Sequence, residues 1–161
     1  EAFHRHRVPA ALLVMDLDHF KAINDALGHE AGDDALVEFA RLVQSYCRVG
    51  DRLFRFGGEE FVLLLAGTGA HRPQAFPLGL GAPVSAALPP DDLQPFAESL
   101  CPAVWTRLRA GGRAVTVSIG GAVLRKGESN AEWLARADAA MYEAKRRGRD
   151  RVVVASDQIR P

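Results

Sequence analysis

The sequence predicts an α+β fold, a mixed and mostly antiparallel sheet flanked by helices. Three observations point there. The run Val8 to Met15 is continuously apolar, as in a central strand covered on both faces. Two further apolar runs, Leu53 to Phe56 and Phe61 to Leu65, flank the turn Gly57-Gly58-Glu59-Glu60 and read as a hairpin. The remaining segments show helical spacing, giving the order β-α-α-β-β-(α)-β-α-β.

The elements follow in order. After the first strand, a short helix fits Phe20 to Leu27 and is stopped by Gly28. Leu36, Phe39, Ala40, Val43 and Cys47 then form one helical stripe, the mark of a helix docked on the sheet by a single face. Residues 68–90 contain Pro73, Pro77, Pro83, Pro89 and Pro90 with Gly79 and Gly81, a density that breaks helices, and read as an inserted loop. A helix resumes over Asp91 to Ala110 despite Pro95 and Pro102. In Ala114 to Leu124, Val115, Val117 and Ile119 alternate with Thr116 and Ser118, as in a strand. Ser129-Asn130-Ala131-Glu132 is a capping-box pattern opening a helix that carries Leu134, Ala137, Met141 and Ala144 and closes at Gly148. Arg151 to Ala155 supplies the last strand.

With 161 residues, 48% of them hydrophobic, the chain can bury one core, so residues 1–161 are expected to be a single domain. Twenty basic residues balance twenty acidic ones, which argues against a nucleic-acid polymer as partner but leaves room for a mononucleotide. Cys47 and Cys101 are too few for a disulfide framework and read as small apolar residues of a reducing, cytoplasmic compartment. No run reaches the length of a membrane span, so no membrane contact is expected of this domain.

Two acidic turns carry the chemistry. Asp16-Leu17-Asp18 follows a buried strand, and Glu59-Glu60 sits on a hairpin tip whose Gly57 and Gly58 are expected to supply positive φ and to let a phosphate chain approach. Adjacent carboxylates repel unless a cation faces them, so the pair suggests a divalent metal and phosphate. Asp18 has two readings, a functional carboxylate or a structural one that caps the following helix through its N–H groups.

The run Asp16-Leu17-Asp18-His19-Phe20-Lys21-Ala22-Ile23-Asn24-Asp25-Ala26-Leu27-Gly28-His29-Glu30-Ala31-Gly32-Asp33-Asp34-Ala35-Leu36, followed by Gly57-Gly58-Glu59-Glu60-Phe61, resembles the GGDEF domain of diguanylate cyclases. The likeness continues through Val117-Ser118-Ile119-Gly120-Gly121, Ala137-Asp138, Met141-Tyr142, Ala144-Lys145 and Gly148-Arg149. It implies a sheet similar to the palm of nucleotidyl cyclases and polymerases. It also implies condensation of two GTP into cyclic di-GMP with two Mg²⁺ per site, Mn²⁺ being a substitute. By resemblance Asp16, the carbonyl of Leu17 and Glu59 are metal ligands, and Glu59 with Glu60 is catalytic. The backbone N–H groups of His19 and Phe20, with Lys21, Gly57, Gly58, Lys145 and Arg149, would serve the phosphates, and Asn24 and Asp33 the guanine.

Each such site holds one GTP, so turnover implies a homodimer with two sites facing each other. Arg48-Val49-Gly50-Asp51 resembles the family's inhibitory product site, with Arg48 and Asp51 holding cyclic di-GMP. The family's usual N-terminal Leu-Thr-x-Leu-x-Asn-Arg stretch is not found before the first strand. That suggests a domain excised from a longer protein, with an upstream sensory module and room for a membrane anchor. A catalytically silent cyclic di-GMP receptor is the alternative reading.

Overall fold

A computed structural model describes residues 10–47, 50–66 and 90–156. In it, β1 (Ala10–Leu17) is the middle of a five-stranded sheet ordered β2-β3-β1-β6-β7. β2 (Arg52–Gly57) and β3 (Glu60–Ala66) form the hairpin, and β6 (Val117–Val123) flanks β1 on its other side. The pairings β2–β3, β3–β1 and β1–β6 are antiparallel, whereas β7 (Arg151–Val154) runs parallel to β6. The mixed, mostly antiparallel sheet is thus the class the sequence predicts.

Every residue of β1 is buried, and the period of two sorts them between two cores. Ala11, Leu13, Met15 and Leu17 pack with α2 (His29–Tyr46) and α3 (Pro90–Arg107), through Phe39, Val43, Leu93, Phe96 and Leu100. Ala10, Leu12 and Val14 pack with α4 (Asn130–Arg146), through Trp133, Ala137 and Met141. α1 (Phe20–Leu27) lies against α2 and buries Phe20.

Several expectations shift by a few residues. The first strand extends to Leu17, and its expected start at Val8 lies outside the described residues. The strand expected over Ala114 to Leu124 is broken. Gly111 and Gly112, at φ 57° and 78°, close a two-residue turn between β4 (Arg109–Ala110) and β5 (Arg113–Ala114), and β6 begins only at Val117. α3 consequently ends at Arg107 rather than Ala110. It tolerates Pro95 and Pro102 because both face outward, while Leu93, Phe96, Ala97, Leu100 and Val104 bury the opposite stripe. Of the insertion expected over 68–90, residues 68–89 lie outside the described residues, and Pro90 opens α3.

The capping box at α4 is formed as expected. Glu132 N donates to Ser129 Oγ at 3.2 Å, and Ser129 N donates to Glu132 Oε2 at 2.8 Å. Among the described residues neither Cys47 nor Cys101 is disulfide-bonded; burial pushes the Cys101 thiol up to about 12, so it behaves as a small apolar group.

Candidate active site

The alternation along β1 decides where its acids point. Asp16 continues the series Ala10, Leu12, Val14 and so lies on the α4 side of the sheet. It is 7% exposed. In the β1–β3 register it stands directly opposite Glu60, and residues paired across an antiparallel ladder share a face. α4 brings Lys145 onto this spot, where its Nζ donates to Asp16 Oδ2 at 2.8 Å. The ammonium also lies 5.7 Å from the ring centre of Tyr142.

Burial raises the Asp16 carboxyl above its usual range, and Glu59 and Asp18 push the same way, against the pull of Lys145. Glu60 is raised as well, by burial and then by the charges of Asp138 and Asp16. Asp138 was not singled out as a site residue from the sequence. Its position could have identified it, since Asp138, Tyr142 and Lys145 recur at helical spacing on one face of α4. Glu59 lies at the turn, and its carbonyl accepts from Leu17 N at 3.3 Å.

The turn differs from expectation in one respect. Neither Gly57 nor Gly58 has positive φ, so backbone conformation does not demand glycine there. Packing does not demand it either, because a Cβ on either residue would meet nothing within 4 Å. Arg55 straps the tip instead, its Nε and Nη2 donating to the Gly58 carbonyl at 3.1 and 2.8 Å.

Asp18 also corrects one of its two readings. It does not cap α1, whose N-cap is His19 at φ 58° with no side-chain cap hydrogen bond. Its carboxylate accepts from Ser118 Oγ, Thr116 Oγ1 and the backbone N–H of Asp150. The start of α1, with His19, Phe20 and Lys21, therefore presents N–H groups without a side-chain acceptor.

Asn24 packs against Gly32, the residue that immediately precedes Asp33. A Cβ on Gly32 would overlap Asn24 Oδ1, so the Asn24 amide occupies the space glycine leaves beside Asp33. Asp33 lies within α2 rather than at its N-cap, since the helix already starts at His29. The Oδ1 of Asn24 is buried with no hydrogen-bond partner, an acceptor awaiting a donor. Arg149, at φ 65°, lies in the turn between α4 and β7 beside Gly148. Of the proposed product site, Asp51 is buried just before β2, and Arg48 lies outside the described residues.

Among the described residues no group of three or more His, Cys, Asp or Glu side chains gathers as a metal cage. Two carboxylates and a backbone carbonyl nevertheless suit Mg²⁺, which takes hard oxygen ligands and completes its shell with water and phosphate. The raised Asp16 carboxyl fits the same conclusion, because a further cation would relieve it.

The family described as "Diguanylate cyclase, GGDEF domain" matches residues 1–77 and 88–151. Diguanylate cyclase DgcM of Escherichia coli (strain K12) is 40% identical over 145 residues, 90% of this chain and 30% of that protein. Diguanylate cyclase DgcP of Pseudomonas aeruginosa is 37% identical over 157 residues, 96% of this chain and 21% of that protein. The chain thus spans about a third or less of these relatives. The solved structure of the active GGEEF domain of a diguanylate cyclase from Vibrio cholerae superimposes with a TM-score of 0.77 at 27% identity, covering 98% of this chain and 89% of that one. The GGDEF domain of DgcB from Caulobacter crescentus, solved in complex with c-di-GMP, gives 0.74 at 29% identity, covering 96% of this chain and 82% of that one. By sequence and by fold, the chain belongs to the GGDEF domain family of diguanylate cyclases.

Proposed function

We propose that this domain condenses two GTP into cyclic di-GMP and two pyrophosphates. The observation that carries the reading is the meeting of Asp16, Glu60 and Lys145 on one face of the sheet, beside a Gly57-Gly58 turn whose glycines neither φ nor packing requires. A turn kept bare for neither reason leaves room for a group from outside the chain, and a phosphate chain fits it.

In each half-reaction a 3′-hydroxyl attacks an α-phosphorus, a new P–O bond forms, and the bond to pyrophosphate breaks. Two Mg²⁺ ions per site, held by Asp16, the Leu17 carbonyl and Glu59, would supply charge neutralisation at the attacking and leaving oxygens when bound, with Mn²⁺ as a substitute. Glu59 takes the hydroxyl proton, directly or through water. Glu60 adds a further carboxylate opposite Asp16. Lys21, Lys145, Arg149 and the N–H groups of His19 and Phe20 hold the phosphates. Asp33 accepts from guanine N1–H and its exocyclic amine, and the orphaned Asn24 Oδ1 offers a further acceptor to the base.

One site per domain makes a homodimer necessary, and alignment of two domains by an upstream sensory module raises the rate through proximity. Cyclic di-GMP binding at Arg48 and Asp51 would feed back on that alignment. Among the described residues no helix is long and apolar enough to cross a membrane, and the reaction's substrate places this domain in the cytoplasm.

The test is incubation of the domain, fused to a coiled-coil dimeriser, with GTP and Mg²⁺, followed by chromatography of the nucleotides. Cyclic di-GMP is expected from the parent fusion and not from Glu59→Gln. No product, with Arg48-dependent binding of cyclic di-GMP retained, would make the domain a receptor.

The bare turn gives a separate prediction. Gly58→Ala has room for its methyl group and no strained φ to adopt, so stability should stay within about 0.5 kcal/mol of the parent. Turnover should fall roughly 10-fold or more, through crowding of the phosphates. Thermal denaturation and product assay of the same preparation check both halves; loss of stability would show that the fold itself needs glycine.

A further inference from the structure

Asp18 is almost wholly buried, at 4% exposure, and neither metal binding nor base recognition uses it. Its Oδ1 accepts from Ser118 Oγ at 2.6 Å, and its Oδ2 from Thr116 Oγ1 at 2.7 Å and from the backbone N–H of Asp150 at 3.0 Å. Its own N–H donates to the Thr116 carbonyl at 2.9 Å. The carboxylate is therefore fixed to the start of β6 and reaches across to the turn between α4 and β7.

That turn is conformationally expensive. Gly148, Arg149 and Asp150 stand in succession at φ 116°, 65° and 46°. A left-handed residue other than glycine costs about 1–3 kcal/mol, so two in a row persist only where surrounding bonds hold them. Arg149 N is held by the Ala144 carbonyl at 3.0 Å, and Asp150 N by Asp18. The arrangement also brings the Asp150 carboxyl near that of Asp18, whose charge, after burial, raises it. Electrostatics alone would not choose two acids side by side.

On its other side, Asp18 directly precedes His19, the left-handed N-cap of α1. One carboxylate thus joins the donor-rich start of α1 to the turn bearing Arg149, across 132 positions of chain. We propose that Asp18 is a positioning residue for the triphosphate: it sets Arg149 and the α1 N-terminus at the spacing the β- and γ-phosphates need. The proposal rests on the GTP-site reading above and adds to it a residue that touches no substrate.

The test compares two ligands by calorimetry in the presence of Mg²⁺, GMP and the non-reacting α,β-methylene analogue of GTP. In Asp18→Ala, affinity for the analogue is expected to fall about 10-fold, the scale of one lost charge-assisted hydrogen bond, while GMP affinity stays within about 2-fold. Asp18→Asn should restore the analogue, because a flipped amide can accept from Thr116 and Asp150 and donate to Ser118 Oγ. Should Asp18→Ala fail to fold, Thr116→Val with Ser118→Ala loosens the same carboxylate and should produce the same selective loss. Equal weakening of both ligands would mark Asp18 as merely structural, and no weakening of either would deny it any part; both overturn the proposal. Parent protein that binds neither nucleotide would overturn the GTP-site reading itself, and the role of Asp18 with it.

Discussion

Asp16→Asn is expected to lower cyclic di-GMP formation by roughly 10³-fold, the equivalent of several kcal/mol of transition-state charge stabilisation. The same change should leave the fold as stable as before, or more so. The two halves of this expectation have one cause. Burial and the neighbouring acids raise the Asp16 carboxyl above its ordinary value despite the ammonium of Lys145, so its ionised form is held against the preference of the folded chain. The folded state then binds more protons than the unfolded state between the ordinary value, 3.8, and the raised one, and stability falls as pH rises through that window. Asparagine removes the titration. Its stability relative to the parent should match or exceed it near neutral pH, and the difference should decline as pH approaches 4. Chemical denaturation with a chelator present, at several pH values beside the product assay, checks this. Asp16→Asn that keeps turnover would remove Asp16 from the chemistry.

Gly120→Ala should do the opposite, costing about 3 kcal/mol or more of stability through overpacking that no rotamer can relieve. Gly120 pairs with Val14 on the α4 side of the sheet, and a Cβ there would collide with the backbone N of Met141 and the carbonyl of Ala137. Backbone of a packed helix has nowhere to go except outward. For a domain of this size the melting temperature should drop by about 10 °C. The lifted helix would also draw Lys145 away from Asp16. The adjacent Gly121 provides the contrast, because its Cβ would meet the methyl groups of Leu13, Leu93 and Val154 at 3.1–3.3 Å, and side chains of that kind can shift. Gly121→Ala should cost clearly less in the same melting experiment, and equal melting temperatures for parent and Gly120→Ala would show that α4 is not seated where the structure places it.

How far the site was legible depended on the range of the interaction involved. The continuous apolar run of β1 and the apolar stripe of α2 are local patterns, and the structure follows them. The acids Asp16, Glu59 and Glu60 stood out because they follow or interrupt apolar runs, and Asp16 and Glu60 stand opposite each other in the sheet. Asp18 was legible only as a carboxylate near a helix start. Its partners Thr116, Ser118 and Asp150 lie 98 or more positions away, and no local pattern announces such pairing. Gly57 and Gly58 misled for a different reason: glycine in a turn usually signals positive φ, and here it signals empty space. In α3, two prolines weakened a helix that its buried stripe secures, so tertiary packing overrode local propensity.

The alternation along β1 carries one more consequence, for insertions and deletions rather than substitutions. Asp16 faces α4 because it shares parity with Ala10, Leu12 and Val14, and Met15 and Leu17 face the other way for the same reason. Exchanging one apolar residue of the strand for another of similar size preserves that parity. Adding or deleting a single residue between Ala10 and Asp16 does not, since the two apolar faces would trade places unless the strand bulged, and the acid would turn toward α2 and α3, away from Lys145. Homologous strands should therefore vary in composition far more readily than in length.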